Sequence, residues 1–469
     1  MSLKEQLKQK TGRWWPWLTL PVRIVRLLFG AIFDLPRMLR WDRVRATRRF
    51  SAECRQRLAL DRGGDRLAVA VDVTPYWEKL TGVGWYLHQL LIHLASEDSV
   101  RLYLYGPTVF IDSGDPPPAV ELPAGPSLRT MAIVVPPDVL FPSLLVRVLR
   151  RLEPWLIARQ RHDVVFAPNF LVPAMLRRSS GSLVVMVHDL GVRHVAWSLD
   201  DRTREALEHG LEASLTRAAA VITPSRAVGD ELVAAGLAEA ATVTAIHHGP
   251  GQVASAGSAA KPVEVPERYA LFVGTLEPRK NLELLLELWP RLRADHRDWP
   301  ALVVCGGWGW KTESMRERVD LARREGWLHS LGYVGDAPLL ALYRGARFLV
   351  FPSLYEGFGL PLLEAMAVGC PVVCSELPVF REVAGDAAEY APTEDVSAWV
   401  EALLRVESDP DRRTELRRLG LERAAAFDWE RSVGETLDVW RSAAGRAVRG
   451  VHGQAGKEMR SGVSQADPT

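Results

Sequence analysis

Ser353–Val373 reads SLYEGFGLPLLEAMAVGCPVV. The apolar run before it, Phe348–Phe351, predicts a buried strand. Pro361 stands where a helix takes its first residue, and Gly369 with Pro371 stands where that helix ends. Gly357 and Gly359, on either side of Phe358, let the loop bring its backbone close to a ligand. The N–H groups of Gly359 and Leu360 would then point out of the helix N-terminus, a place for anionic or hydroxyl oxygens. Glu356 and Glu364 bracket this loop. Taken alone, two glutamates at that spacing describe the solvated rim of any βα unit.

Upstream, Ala270–Trp289 repeats the plan: strand, glycine turn at Gly274, then an amphipathic helix. Its turn carries Arg279 and Lys280, two cations placed to stabilise a departing phosphate. ALVVCGGWGWK from Ala301 is another strand and turn, with Gly306 at its bend. Leu67–Val73 reads as a buried parallel strand, followed by the glycine turn Thr81-Gly82-Val83-Gly84. Leu87 occupies the third glycine position, so this is no dinucleotide fingerprint. Further strands are expected at Arg101–Tyr105, Met131–Val135, Val164–Ala167, Leu183–Val187, Val221–Thr223 and Val243–Ile246. Largely helical segments between them predict a doubly wound α/β sheet. Leu183–Val187 ends in His188-Asp189, where such folds bind ligands. Ser225 reads as the cap of the next helix.

The phrase E-G-F-G-L-P-x-L-E-A-M-A-x-G-x-P-V-V resembles the donor-site signature of the retaining glycosyltransferases of family 4. The likeness runs over most of Leu67–Trp440. It implies the GT-B fold, two Rossmann-like doubly wound lobes facing a cleft. The expected layout is a basic amphipathic arm over 1–65, an acceptor-side lobe over 66–250, a linker over 251–268 and a donor-side lobe over 269–426. A helix packing back across the lobes over 427–448 and a disordered tail over 449–469 complete it. The resemblance implies that Glu356 and the Gly359-Leu360 backbone hold the sugar, and that Glu364 holds the ribose hydroxyls. Gly306 and Val334 would flank the nucleobase, Gly82 and Gly84 would lie near the donor phosphate, and His188 would face the reacting sugar. Trp85 departs from the family's polar residue, and His247-His248-Gly249-Pro250 replaces its usual Pro-Asn-Gly. No carboxylate nucleophile is evident on the N-terminal side. The family analogy therefore implies attack from the leaving-group face, with the phosphate taking the acceptor proton. The E-P-R-K-N version of the cationic motif looks most like bacterial O-antigen mannosyltransferases using GDP-mannose, with a glycan or lipid-linked acceptor. A UDP-sugar donor, a catalytically idle scaffold, and an epimerase or phosphorylase of the same fold are the alternatives.

Composition agrees with a multidomain globular protein: 469 residues, 48% hydrophobic and 25% charged. The formal charge of +1 hides an asymmetry. Residues 1–60 hold three lysines and eleven arginines against four acidic residues, a net +10 that leaves −9 for the remainder. Trp14–Arg37 has a wide apolar face and a stripe containing Arg23 and Arg26. That pattern predicts a helix lying in an interface, so residues 13–50 are expected on an anionic membrane, at the cytoplasmic face of the inner membrane. No cleavable signal peptide is expected. Nucleic acid is not expected, since the basic face lacks interleaved aromatics. Cys54, Cys305, Cys370 and Cys374 have no zinc spacing and read as packed thiols. The one D-x-D, Asp409-Pro410-Asp411, falls on an expected surface turn. No metal and no cofactor are expected; Arg279 and Lys280 would do a metal's work.

Overall fold

The computed structural model describes residues 45–52, 65–77, 82–106, 109–110, 122–131, 134–135, 142–198, 201–251 and 264–461. In chain order the N-terminal lobe contributes β1 (Leu67–Asp72), β2 (Val100–Tyr105), β3 (Val109–Phe110), β4 (Leu128–Thr130), β5 (Val134–Val135), β6 (Val164–Ala167), β7 (Ser182–Met186), β8 (Ala220–Thr223) and β9 (Val243–Ala245). They form a parallel sheet in the order β4-β2-β1-β6-β7-β8-β9, with β3 and β5 paired separately. The C-terminal lobe contributes β10 (Tyr269–Val273), β11 (Ala301–Cys305), β12 (Leu328–Gly332), β13 (Leu349–Phe351), β14 (Val372–Ser375) and β15 (Glu389–Ala391). Their order is β12-β11-β10-β13-β14-β15, also parallel. Each sheet reverses its winding beside its first strand, which opens a crevice at the strands' carboxyl ends. These are the two doubly wound lobes of the GT-B fold.

Burial follows from side-chain alternation. Tyr269, Leu271 and Val273 of β10 enter one apolar cluster, and Ala270 and Phe272 enter the cluster on the opposite face. A strand covered on both sides needs apolar residues at every position, so β10 reads as a continuous run. The last helix, Trp429–Ser461, returns to the first lobe. Its Trp440 is fully buried against Phe166, at 5.1 Å between rings. Ser182 Oγ donates to the Ala443 carbonyl at 3.0 Å.

Two expectations change. Met131–Val135 is not one strand: the ladder on β2 ends where Met131 N–H meets the Leu104 carbonyl, at 2.8 Å. Val134–Val135 pairs instead with Val109–Phe110. An apolar run does not report a change of partner strand. The disordered tail expected from 449 is instead helical through Ser461. Gly450 and Gly453 do not stop it, since glycine costs a helix only about 1 kcal/mol. The amphipathic arm lies outside the described residues except for a helix at 45–52, and most of the linker, 252–263, does as well. Among the described residues, no helix is long and apolar enough to cross a membrane.

Candidate active site

Every charged or glycine-bearing loop of interest sits at the carboxyl end of a parallel strand. Gly274 follows β10 and Gly306 follows β11, each with φ of +149°, open to glycine alone. A Cβ on Gly306 would overlap the Gly274 carbonyl, so the two turns pack backbone on backbone. After Gly274 the chain makes a short 3₁₀ turn, Pro278–Lys280. Asn281, in left-handed backbone (φ 55°), then starts the helix Leu282–Asp295. The turn presents Arg279 and Lys280 toward the loop after β13.

Glu356 receives both cations. Lys280 Nζ bonds its Oε1, Arg279 Nη1 donates to its Oε2 at 3.2 Å, and Ser353 Oγ donates to Oε1 at 2.8 Å. Burial raises the Glu356 carboxyl, but Lys280 and then Arg279 outweigh it and hold it below the usual glutamate range. Arg279 also bonds Glu277 at 2.8 Å and the Tyr355 carbonyl at 3.1 Å. Burial works against its charge, and Glu356, Asp189 and Glu277 more than restore it. Glu277, Arg279, Lys280 and Glu356 thus hold one another, and their four formal charges sum to zero.

His188, two residues past β7, closes the site from the other lobe. Its Nε2 lies 2.8 Å from the Pro168 carbonyl, which assigns the proton to Nε2 and leaves Nδ1 as an acceptor. Burial lowers its pKa, against the Pro168 bond and Asp189, so the ring is neutral near pH 7. The Tyr86 ring meets its edge at 5.1 Å. A Cβ on Gly357 would overlap the His188 carbonyl, so the donor-side loop packs directly beneath this histidine. Ser225 caps the helix Arg226–Ala234, and its Oγ also donates to the Gly357 carbonyl at 2.8 Å.

Gly359, with φ of +94°, is the residue before the helix Leu360–Ala367, which begins one residue earlier than Pro361 alone suggests. Leu362 and Leu363 N–H donate to the Gly359 carbonyl at 3.0 and 3.2 Å and Pro361 has no N–H, so Gly359 and Leu360 carry the N–H groups that begin this turn. Glu364, one turn on, accepts from Tyr343 Oη at 3.0 Å. Burial pushes its carboxyl up to about 7, against the Tyr343 bond. A Cβ on Gly251 would overlap its Oε1, so the linker runs beside it. Val334 is half-buried against the C-terminal core.

The Phe358 side chain packs on His248 at 5.0 Å and Phe427 at 6.1 Å, turned to the hinge. Gly82 is exposed, and a Cβ there would meet nothing within 4 Å, so this geometry does not require glycine. Gly84 is buried in the helix Gly82–Leu94. Asp409 accepts from the Asp411 and Arg412 N–H groups as a helix cap.

Sequence reasoning missed the groups that join the lobes. Tyr355 Oη donates to Glu231 at 2.7 Å and accepts from Leu190 N–H at 2.9 Å, with His194 stacked on its ring at 4.9 Å. Glu382 accepts from the Arg226 and Ala227 N–H groups at 2.8 and 2.9 Å and pairs with His247 at 2.6 Å. Neither set has a sequence signal, because its members lie more than a hundred positions apart.

Comparison with known proteins covers both lobes. The family model described as "Glycosyl transferases group 1" matches residues 258–423, and "Glycosyltransferase Family 4" matches residues 80–249. The chain is 32% identical over 379 residues to the O-antigen chain mannosyltransferase B of Escherichia coli, covering 77% of this chain and 96% of that protein. This chain belongs to the family 4, group 1 glycosyltransferases. A second relative of this glycosyltransferase is the phosphatidyl-myo-inositol mannosyltransferase of Mycolicibacterium smegmatis. It is 34% identical over 202 residues, 42% of this chain and 51% of that one. Among solved structures, the sucrose-phosphate synthase of Thermosynechococcus elongatus superposes with a TM-score of 0.62 at 22% identity. That match covers 80% of this chain and 99% of the other. Anabaena HepE in complex with UDP-glucose gives 0.57 at 14%, covering 80% and 100%. At such identities the structures speak for the fold.

Proposed function

We propose that this glycosyltransferase moves a hexose with retention of configuration, from GDP-mannose, onto a glycan or lipid-linked acceptor of a surface polysaccharide. The observation that carries the reading is the Arg279–Lys280–Glu356 set, with Lys280 buried and the other two half-buried, beside the Gly274, Gly306 and Gly359 turns. A diphosphate would take over Arg279 and Lys280 from their carboxylates, and charge growing on the leaving phosphate would be stabilised by dipoles already in place. Glu356 and the backbone at Gly359 and Leu360 would hold sugar hydroxyls, and Glu364 the ribose. His188, neutral, would position the sugar through Nδ1 from the opposite lobe. Closure of the lobes would exclude water, which would otherwise compete as acceptor. The proposal needs no metal, because the cations do that work; Asp409 and Asp411 belong to a helix cap.

Mannose is favoured by the likeness to the mannosyltransferases of Escherichia coli and Mycolicibacterium smegmatis. A UDP-sugar donor is the second reading, supported by the fold shared with HepE, which was solved with UDP-glucose. The expected acceptor side is membrane-bound at the cytoplasmic face, with the basic arm over 13–50 on anionic lipid. A thermal-shift panel of GDP, UDP, ADP and their sugar conjugates, with and without EDTA, tests the proposal. A rise in melting temperature with GDP compounds, unchanged by EDTA, is expected. A rise with UDP compounds instead replaces mannose, and no rise with any nucleotide overturns the enzyme's proposed donor site.

A further inference from the structure

The helix Pro142–Ala158 has apolar side chains on both sides. Val146 and Ile157 are buried in the N-terminal lobe. Val148, Leu152 and Trp155 are 43%, 47% and 60% exposed. At 100° per residue these three fall within about 60° of one another, opposite the buried pair. They form a solvent-facing stripe that takes no part in the core among the described residues. Single exposed apolar residues need no explanation, but three in register on one helix do.

Charge frames the stripe. Arg151 and Arg159 are exposed on the same side of the helix. The Arg178 guanidinium lies 4.4 Å from the centroid of the Trp155 ring. Residues 142–178 carry seven arginines against Glu153 and Asp163, on a chain whose formal charge is only +1. Asp163 is already engaged, accepting from Ala68 N–H at 2.8 Å. An apolar ridge ending in an exposed tryptophan and bordered by guanidinium groups matches one kind of surface best. Tryptophan settles at the boundary of acyl chains and headgroups, while arginine reaches lipid phosphate.

We infer that the outer face of the helix Pro142–Ala158 is a docking surface for an anionic lipid bilayer, with Trp155 and Leu152 entering the headgroup boundary and Arg151, Arg159 and Arg178 meeting lipid phosphates. The surface is separate from the arm over 13–50 and does not rest on the choice of sugar donor. Two attachment sites of this kind would act together, since single interfacial signals give weak, reversible binding.

The experiment is cosedimentation of the full chain with vesicles of phosphatidylglycerol and phosphatidylcholine, against vesicles of phosphatidylcholine alone. The full chain with Leu152→Glu and Trp155→Glu is compared with the parent. About ten-fold weaker binding to the anionic vesicles, or a larger loss, is expected, with an unchanged melting temperature and unchanged nucleotide-induced thermal shift. Should that double variant unfold, Arg151→Glu with Arg159→Glu, both exposed, is expected to weaken binding and flatten its salt dependence. Parent-like binding by the folded variant overturns the inference, because the arm or another surface then carries the membrane contact. Equal loss on the uncharged vesicles overturns the lipid-phosphate contact. Self-association of the parent without lipid, abolished by the double variant, assigns the stripe to a second copy of the chain and also overturns it.

Discussion

Lys280 is buried and Glu364 half-buried, and the two stand in opposite electrostatic settings. Lys280 is 8% exposed and neutralises Glu356. Lys280→Ala leaves Glu356 to Arg279 and Ser353 and removes one cation from the proposed leaving-group site. Turnover is expected to fall about 10²–10³-fold, as loss of one pre-organised charge stabiliser does; steady-state kinetics with the donor found by thermal shift is the check. Glu364 is held instead by a neutral donor, Tyr343, and burial raises its pKa from 4.5 to about 7. The folded state thus keeps a proton that the unfolded chain releases. That contribution to stability is complete below about pH 4.5 and is lost as pH rises through about 7. Glu364→Gln should therefore lose less melting temperature than the parent between about pH 5 and pH 8. Equal slopes in a differential-scanning pH series would contradict the assignment.

At the scale of elements, glycines set how closely loops approach. Gly357 lies under the His188 carbonyl with no room for a Cβ. Gly357→Ala should leave each sheet intact but hold the donor loop away from β7. A shift of about 1 Å at such a contact can cost about 10²-fold in rate, so kcat/KM is expected to drop by that factor with little change in melting temperature. A large fall in melting temperature with kcat/KM preserved would contradict this. The glycine loop, the following proline and the cations were legible from residue types alone, because turn chemistry and helix starts are local. The change of partner at Met131 was not, since the identity of the strand that supplies the hydrogen bonds leaves no mark on a short apolar run.

For the whole molecule, the two lobes are clamped both at the donor loop, through Tyr355 and Gly357, and away from it, through Glu382. Glu382 ties the helix Pro378–Ala384 to the N-terminus of the helix Arg226–Ala234 and to His247 in the hinge. Burial raises its carboxyl, but the bonds from His247, Arg226 and Ala227 bring it below the usual range. Glu382→Ala removes all three bonds. The radius of gyration from small-angle scattering should rise without nucleotide, and the donor KM should rise more than kcat falls. An unchanged radius would mean that Tyr355 with Glu231 suffices to hold the lobes.

Local pattern determined the doubly wound lobes, the glycine turns, the cationic pair and the two carboxylates, because strand burial, helix starts and turn glycines depend on neighbours within a few residues. The resemblance carried by Glu356–Val373 supplied the family. Tertiary structure alone decided which charges neutralise one another, that Phe358 faces the hinge, that Glu364 is held near neutral, and that Glu382 and Tyr355 bridge the lobes. Those are properties of distance and desolvation, and both arise only when residues far apart in the chain are brought within a few ångströms and water is removed from between them.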